Sequence, residues 1–307
     1  MRIAVMAAGA VGGYFGARLA AAGHDVVFFA RGSHLDALRR NGLKVQSLLV
    51  DLHLTDIQVT DDPAHVAPVD IVLFAVKLWD TEKAAQSLRP LMKPDTRVIT
   101  FQNGIDALER LEPILGAGHV VGGLAQIATV IGSPGVILHT SKFAVLRCGY
   151  PDGRSDPPLN AFVEAGRNAG IDIAFSENIE VDLWSKFVFL TALAGSTATT
   201  RLPIGKIRTD PDTRAFFHDL LREVSAVGRA KGVALAPDHA DKALAFADTT
   251  LPPDMKASMA HDLERGNRLE LDWLNGKVVE LGRKLDVPTP ASQAVYTILK
   301  LHRMGRA

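Results

Sequence analysis

Residues 1–16 read M-R-I-A-V-M-A-A-G-A-V-G-G-Y-F-G: a short run of apolar residues, a turn of small ones, then the opening of a helix. A buried strand leading into a glycine-rich turn and a helix is how a dinucleotide fold begins. There the helix N-terminus offers backbone N–H groups and the positive end of its dipole to a pyrophosphate. In such a turn the first glycine allows the bend, the second lets phosphate approach, and the third lets the helix pack closely on the strand. Gly9 and Gly12 hold the second and third places, and Ala7 holds the first. Ala costs about 1–2 kcal/mol there if the bend needs positive φ, and little if it does not. The run Ala7, Ala8, Gly9, Ala10, Val11 and Gly12 is therefore a candidate phosphate cradle.

The same stretch superficially imitates a secretory signal, with Arg2, an apolar run and small residues near A-L-A-A-A-G. Glycines at 9, 12, 13 and 16 interrupt the run, and it leads into D-V-V-F-F-A (25–30), which serves better as a core strand. Cys148 is the only cysteine, so no intrachain disulfide can form and a cytoplasmic protein is expected. At 307 residues and 47% hydrophobic, the chain is long enough for two domains with cores of their own. No uninterrupted apolar run approaches a bilayer span. Lys plus Arg and Asp plus Glu both number 34, so no global field favours nucleic acid or an anionic membrane. The expected ligand is a small molecule, with no metal site.

Outward from the turn, short apolar runs alternate with helical stretches as far as about residue 150. The strands expected are R-I-A-V-M (2–6), D-V-V-F-F-A (25–30), D-I-V-L-F-A-V (70–76), R-V-I-T-F (97–101) and H-V-V-G-G-L (119–124). Q-I-A-T-V-I (126–131) and G-V-I-L-H-T (135–140) read as a hairpin about G-S-P, with F-A-V-L-R-C (143–148) a further strand, together an antiparallel edge. After Y-P-D-G-R-S-D-P-P (150–158) the pattern turns to long amphipathic helices. The fold class expected is α/β, a Rossmann-like doubly wound, mostly parallel sheet followed by an all-helical second domain, divided as 1–176 and 177–307. Such an arrangement makes a cleft, where small-molecule sites are common, and a helical domain could supply a homodimer interface.

The second strand ends in F-A-R-G-S-H, placing Arg31 where a nucleotide fold meets the adenosine ribose. An Asp or Glu there suits a free 2′-hydroxyl, whereas a guanidinium suits a 2′-phosphate, so NADP(H) is the expected cofactor. Lys77 and Asn103 each follow the carboxyl end of an expected strand, where ligands bind in open α/β sheets. Each also has a plainer reading, Lys77 as an exposed lysine and Asn103 as half of an Asn-Gly turn. Lys186 lies in V-D-L-W-S-K-F-V-F-L-T-A-L-A, apolar almost all round, which argues for a lysine on a largely buried helix.

In this order I-A-V-M-A-A-G-A-V-G-G-Y-F-G (3–16), V-K (76–77), Q-N-G-I (102–105), L-W-S-K-F (183–187), S-M-A-H-D (258–262) and E-L-D-W-L-N-G (270–276) resemble the ketopantoate reductases, or 2-dehydropantoate 2-reductases. The resemblance spans nearly the whole chain. It implies NADPH-dependent reduction of 2-dehydropantoate to pantoate, on the way to pantothenate and coenzyme A. By that resemblance Lys186 is the catalytic lysine, Lys77 lies near the nicotinamide ribose, and Asn103 contacts both nicotinamide and substrate. Ser258 takes the substrate carboxylate; Glu270 holds the substrate hydroxyl and lies against the cofactor. From the residues alone, Ser258 reads as an N-cap and Glu270 as a solvated helix residue, with Gly266 separating their helices.

The departure lies in the lysine helix. The family typically has asparagines four and eight residues after the lysine, on one helical face, and this chain has Leu190 and Ala194. Thr191, Ser196 and Thr197 are near, but their spacing does not make them substitutes. The expected activity is therefore a ketopantoate reductase, with a paralogous reductase of another 2-oxo acid or a non-catalytic NADP-binding sensor as alternatives.

Overall fold

A computed structural model describes residues 1–116 and 118–306. The chain divides into two compact units, Met1–Ile179 and Glu180–Ala307. In the first, β1 (Arg2–Met6), α1 (Ala10–Ala21), β2 (Asp25–Phe29) and α2 (Gly32–Asn41) form two strand–helix repeats. They are followed by the short strands β3 (Leu43–Ser47), β4 (Leu52–Leu54) and β5 (Gln58–Thr60). Then come β6 (Ile71–Phe74), α3 (Thr81–Ser87), β7 (Arg97–Thr100), α4 (Ala107–Leu115), β8 (Val120–Ser133), β9 (Val136–Gly149), α5 (Pro157–Asn168) and β10 (Asp172–Phe175).

The strands make one sheet in the order β4-β3-β9-β8-β7-β6-β1-β2-β5, with β10 also paired to β9. Pairing is parallel throughout from β8 to β5; the antiparallel pairs are β8 with β9 and β3 with β4. Four of the five residues of β1 and of β2, and all four of β6, are buried, as a sheet covered on both faces requires. Alternate residues of β1 serve opposite faces: Ile3 and Val5 pack with Phe28, Leu73 and α1, while Ala4 and Met6 pack with Phe29, Phe74 and Leu88.

Three expectations are corrected. Residues 120–133 form one continuous strand, β8, and 136–149 likewise form β9, because the antiparallel ladder between them runs on with only local register shifts. The hairpin turn is Pro134-Gly135, with Gly135 at φ 81°. Nor is this pair an edge: β3 pairs with the first half of β9 and β10 with the second, both parallel. Finally, residues 43–60 hold three strands instead of helix, and β10 falls among the later helices.

The second unit holds α6 (Ile179–Thr200), α7 (Ile204–Thr209), α8 (Pro211–Ala230), α9 (His239–Thr249), α10 (Ser258–Arg265), α11 (Asn275–Lys284) and α12 (Pro290–Leu299). The polar-looking end of α6 sits inside the unit because its hydroxyls bond their own helix. Ser196 donates to the Ala192 carbonyl at 2.8 Å, Thr197 to Leu193 at 2.6 Å and Thr200 to Ser196 at 2.7 Å. Buried Glu223 of α8 accepts from the N–H groups of Ala291 and Ser292, capping α12. Among the described residues no helix is long and apolar enough to cross a membrane.

Candidate functional site

In the first unit the strand order reverses at β1, with β2 on one side and β6 on the other. The crevice at the carboxyl ends of the strands flanking such a reversal is where open α/β sheets bind ligands. The loops leaving β1, β2, β6 and β7 carry the glycine turn, Arg31, Lys77 and Asn103 to that edge.

The glycine turn explains itself residue by residue. Ala7 is not among the residues of positive φ, so alanine there carries no left-handed strain. A Cβ at Gly12 would strike the Ala7 carbonyl and come within 2.9 Å of Val5, so glycine lets α1 sit against β1. Gly9, the N-cap of α1, has φ −74°, and a Cβ added there would meet no atom within 4 Å, so neither backbone nor packing demands glycine. Open space before the first-turn N–H groups is what a pyrophosphate needs. The N–H of Ala8 is committed to the Phe29 carbonyl at 2.7 Å, so Ala8 gives shape instead of a donor.

Arg31 is the N-cap of α2, and its Nη2 donates to Asp80 Oδ2 at 2.8 Å. Lys77 precedes a single 3-10 turn, Leu78–Asp80, with its ammonium 5.6 Å from the centroid of the Trp79 ring. Asn103 lies in the bend after β7, before Gly104 at φ 83°.

In the second unit Lys186 is partly buried on α6 between buried Trp184 and Phe187, and Glu270 is 6% exposed. Burial disfavours the ammonium and brings its pKa from 10.5 down to about 8, while the nearby Glu270 charge pulls it upward. The structure thus couples two of the expected site residues that are 84 positions apart in sequence. The plainer readings of Ser258 and Glu270 fail. The N-cap of α10 is Ala257, leaving Ser258 as its exposed first residue, and Glu270 is buried in the bend before the 3-10 turn Leu271–Trp273. Gly266, at φ 72°, does end α10. Thr197 Oγ1 accepts from the Ala257 N–H at 3.3 Å, tying the start of α10 to the lysine helix.

Three residues escaped the sequence reading. Gln102 is buried after β7 and donates to the Val76 carbonyl at 3.0 Å and to Thr81 Oγ1 at 2.8 Å, locking the Asn103 bend to the Lys77 turn. A glutamine directly before Asn-Gly at a strand end was the available signal. His34 Nδ1 accepts from the Gly135 N–H, so Nε2 carries the proton it donates to the Ala8 carbonyl at 2.9 Å. Burial lowers the His34 pKa, which keeps that neutral form and steadies the glycine turn. Asp80 is the third, and no local pattern announces its pairing with Arg31.

A doubly wound sheet carrying this turn, with a helical unit carrying a half-buried lysine under the influence of a buried carboxylate, defines an oxidoreductase of the NAD(P)-binding Rossmann class. Family models narrow the class: "Ketopantoate reductase PanE/ApbA" matches residues 3–152 and "Ketopantoate reductase PanE/ApbA C terminal" matches residues 178–303. The chain is 30% identical over 331 aligned positions to the 2-dehydropantoate 2-reductase of Mesorhizobium japonicum, covering 98% of this chain and 97% of that protein. It is similar to the crystal structure of a PanE/ApbA family ketopantoate reductase from Ralstonia eutropha, with TM-score 0.89, 32% identity, and 99% and 98% of the two chains covered. A D-mandelate dehydrogenase solved with NADH and anilino(oxo)acetate shares the fold at TM-score 0.90 and 19% identity, with 99% and 98% covered. The chain belongs to the ketopantoate reductase family and is an enzyme of that family.

Proposed function

We propose that the protein reduces 2-dehydropantoate to pantoate with NADPH. The observation that carries this reading is the lysine whose pKa burial brings to about 8 while Glu270 supports its charge. A carbonyl being reduced gathers negative charge on oxygen, and an ammonium of that acidity can both stabilise the charge and deliver the proton near neutral pH. NADPH, when bound, supplies the hydride. The open space at Gly9 and the first turn of α1 fit its pyrophosphate, Arg31 its 2′-phosphate, and Lys77 and Asn103 its nicotinamide half. Lys186 Nζ holds the proton for the ketone oxygen, Glu270 keeps the lysine charged and receives the substrate hydroxyl, Ser258 receives the carboxylate, and Asn103 orients the ketone. A cytoplasmic location goes with this reading.

The test is NADPH oxidation with ketopantoate and a panel of related 2-oxo acids. Turnover of ketopantoate above the others supports the reading; none with any 2-oxo acid overturns it. Arg31→Asp should remove a preference for NADPH of about tenfold, the worth of one charge-assisted contact.

A second reading, reduction of a more apolar 2-oxo acid, is favoured by the lysine helix. Leu190 and Ala194 lie one and two turns after Lys186, Ala194 is fully buried, and the hydroxyls of Ser196 and Thr197 are committed to their own backbone. That face supplies no amide for a polar ligand, and missing partners weaken discrimination for polar groups.

A further inference from the structure

We propose that Asp80 is a positioning residue that sets how strongly the nucleotide site prefers NADPH to NADH, acting through Arg31. The inference rests on the cofactor reading above and names the residue that tempers it. Arg31 leaves the end of β2 and Asp80 ends the turn after β6, the two strands that flank β1. Their 2.8 Å ion pair therefore joins the two sides of the edge at which the strand order reverses.

The two partners differ in freedom. The Arg31 side chain is 70% exposed and that of Asp80 28%. The turn bearing Asp80 is held from several directions: the Asp80 N–H donates to the Lys77 carbonyl at 2.9 Å, and Thr81 Oγ1 to the Leu78 carbonyl at 2.9 Å. Gln102 donates to Thr81 Oγ1, and Arg110 Nη2 donates to the Leu78 carbonyl at 2.7 Å. Arg31 is the freer member, and it is drawn to a carboxylate that the fold fixes.

A 2′-phosphate arriving at Arg31 meets a guanidinium with one donor already engaged and a fixed negative charge on its far side. Either the phosphate displaces Asp80, or phosphate and carboxylate share one cation and repel. Both outcomes weaken NADPH. The 2′-hydroxyl of NADH is neutral and brings no such repulsion, and the carboxylate can accept its hydrogen bond. An exposed pair of this kind is weak in itself, so it moderates the preference without abolishing it.

The test measures dissociation constants of NADPH and NADH for the full-length protein, for Asp80→Asn, for Arg31→Gln and for the double variant, at low salt and near 1 M salt. Asp80→Asn should tighten NADPH by about three- to tenfold at low salt, and by less near 1 M, where the screening length falls to about 3 Å. NADH should stay within about a factor of two, which also reports an intact site. On the Arg31→Gln background the same change should have a clearly smaller effect. An NADPH constant that Asp80→Asn leaves unchanged or weakens overturns the proposal while the cofactor reading stands. Equal tightening with and without Arg31 also overturns it, because Asp80 would not be acting through the arginine. If the unaltered protein binds neither nucleotide, the cofactor reading itself falls and this inference with it.

Discussion

Replacing Glu270 by Gln should move the alkaline limb of the pH–rate profile to lower pH. Lys186 has its pKa brought from 10.5 to about 8 by burial, against an upward pull from Glu270. That displacement disfavours the ammonium by roughly 3 kcal/mol. Because a general acid works only while protonated, kcat/KM should be level at neutral pH and fall through about pH 8 as the lysine loses its proton. Glutamine keeps the shape and removes the charge, leaving burial unopposed, so the limb should fall by about 1 pH unit or more, the usual effect of one neighbouring charge. Initial rates of NADPH oxidation between about pH 6 and 10 measure this even if the maximal rate of the variant is lower. A limb that stays near 8 or moves upward would refute the electrostatic link between the two residues. The lowered pKa has a stability counterpart of definite sign. Below about pH 8 the lysine is charged in both folded and unfolded chains and its burial cost is fully present; between about 8 and 10.5 only the unfolded chain keeps the proton. The contribution of Lys186 to stability therefore rises with pH across that window, and Lys186→Met should flatten this part of the denaturation profile.

Lys186→Ala should lower kcat by about 10²- to 10⁴-fold while leaving the NADPH dissociation constant unchanged, since the phosphate cradle belongs to the other unit; a variant within a few-fold of the native rate excludes the general-acid role. Gly16→Ala and Gly9→Ala should behave oppositely. A carbon at Gly16 comes within 2.7 Å of Phe28 and Val5 and should cost about 1–3 kcal/mol in thermal unfolding. One at Gly9 meets no protein atom within 4 Å, so it should leave unfolding alone and weaken the cofactor; equal destabilisation by both removes the ligand argument for Gly9. Leu190→Asn with Ala194→Asn should raise kcat/KM for ketopantoate relative to apolar 2-oxo acids, and an unaltered ratio in a folded variant rejects the account of the shifted preference.

What the sequence made legible is what neighbouring residues decide between themselves. The β1 turn and α1 could be read because strand, glycines and helix are contiguous, and four strands of the parallel core because each is a short unbroken apolar run. The strands β3, β4, β5 and β10 could not, for their β character comes from partners elsewhere: Val45 pairs with Ile137, Val27 with Gln58, and Phe175 with Cys148. The sequence pattern divides the long hairpin strands because each runs on past the core: β8 passes from buried at 120–125 to largely exposed at 130–133. In the candidate site, identities were readable and relations were not. Arg31 stood out as the wrong charge for NAD, but its carboxylate partner lies 49 residues on. Glu270 looked like a surface residue because nothing local shows that it is buried.

The lysine helix shows why that distinction matters for function. An apolar helix with one lysine and a tail of Ser and Thr is ambiguous as a string, since each polar group could serve a ligand or the helix itself. The structure separates them by what each has to bond. The hydroxyls of Ser196, Thr197, Thr199 and Thr200 turn back onto carbonyls three or four residues earlier, which makes them compatible with burial. An ammonium has no equivalent remedy, because a hydroxyl bonded to a carbonyl is left neutral whereas a buried ammonium still carries the desolvation cost of its charge. Glu270 is a carboxylate whose charge acts against that cost. Replacing that pair by apolar residues of similar size would commonly leave a fold as stable or more so. A charge kept against the pull of burial, beside hydroxyls bonded to their own helix, marks a candidate functional site. In the function proposed above, the use of that charge is proton delivery to a ketone.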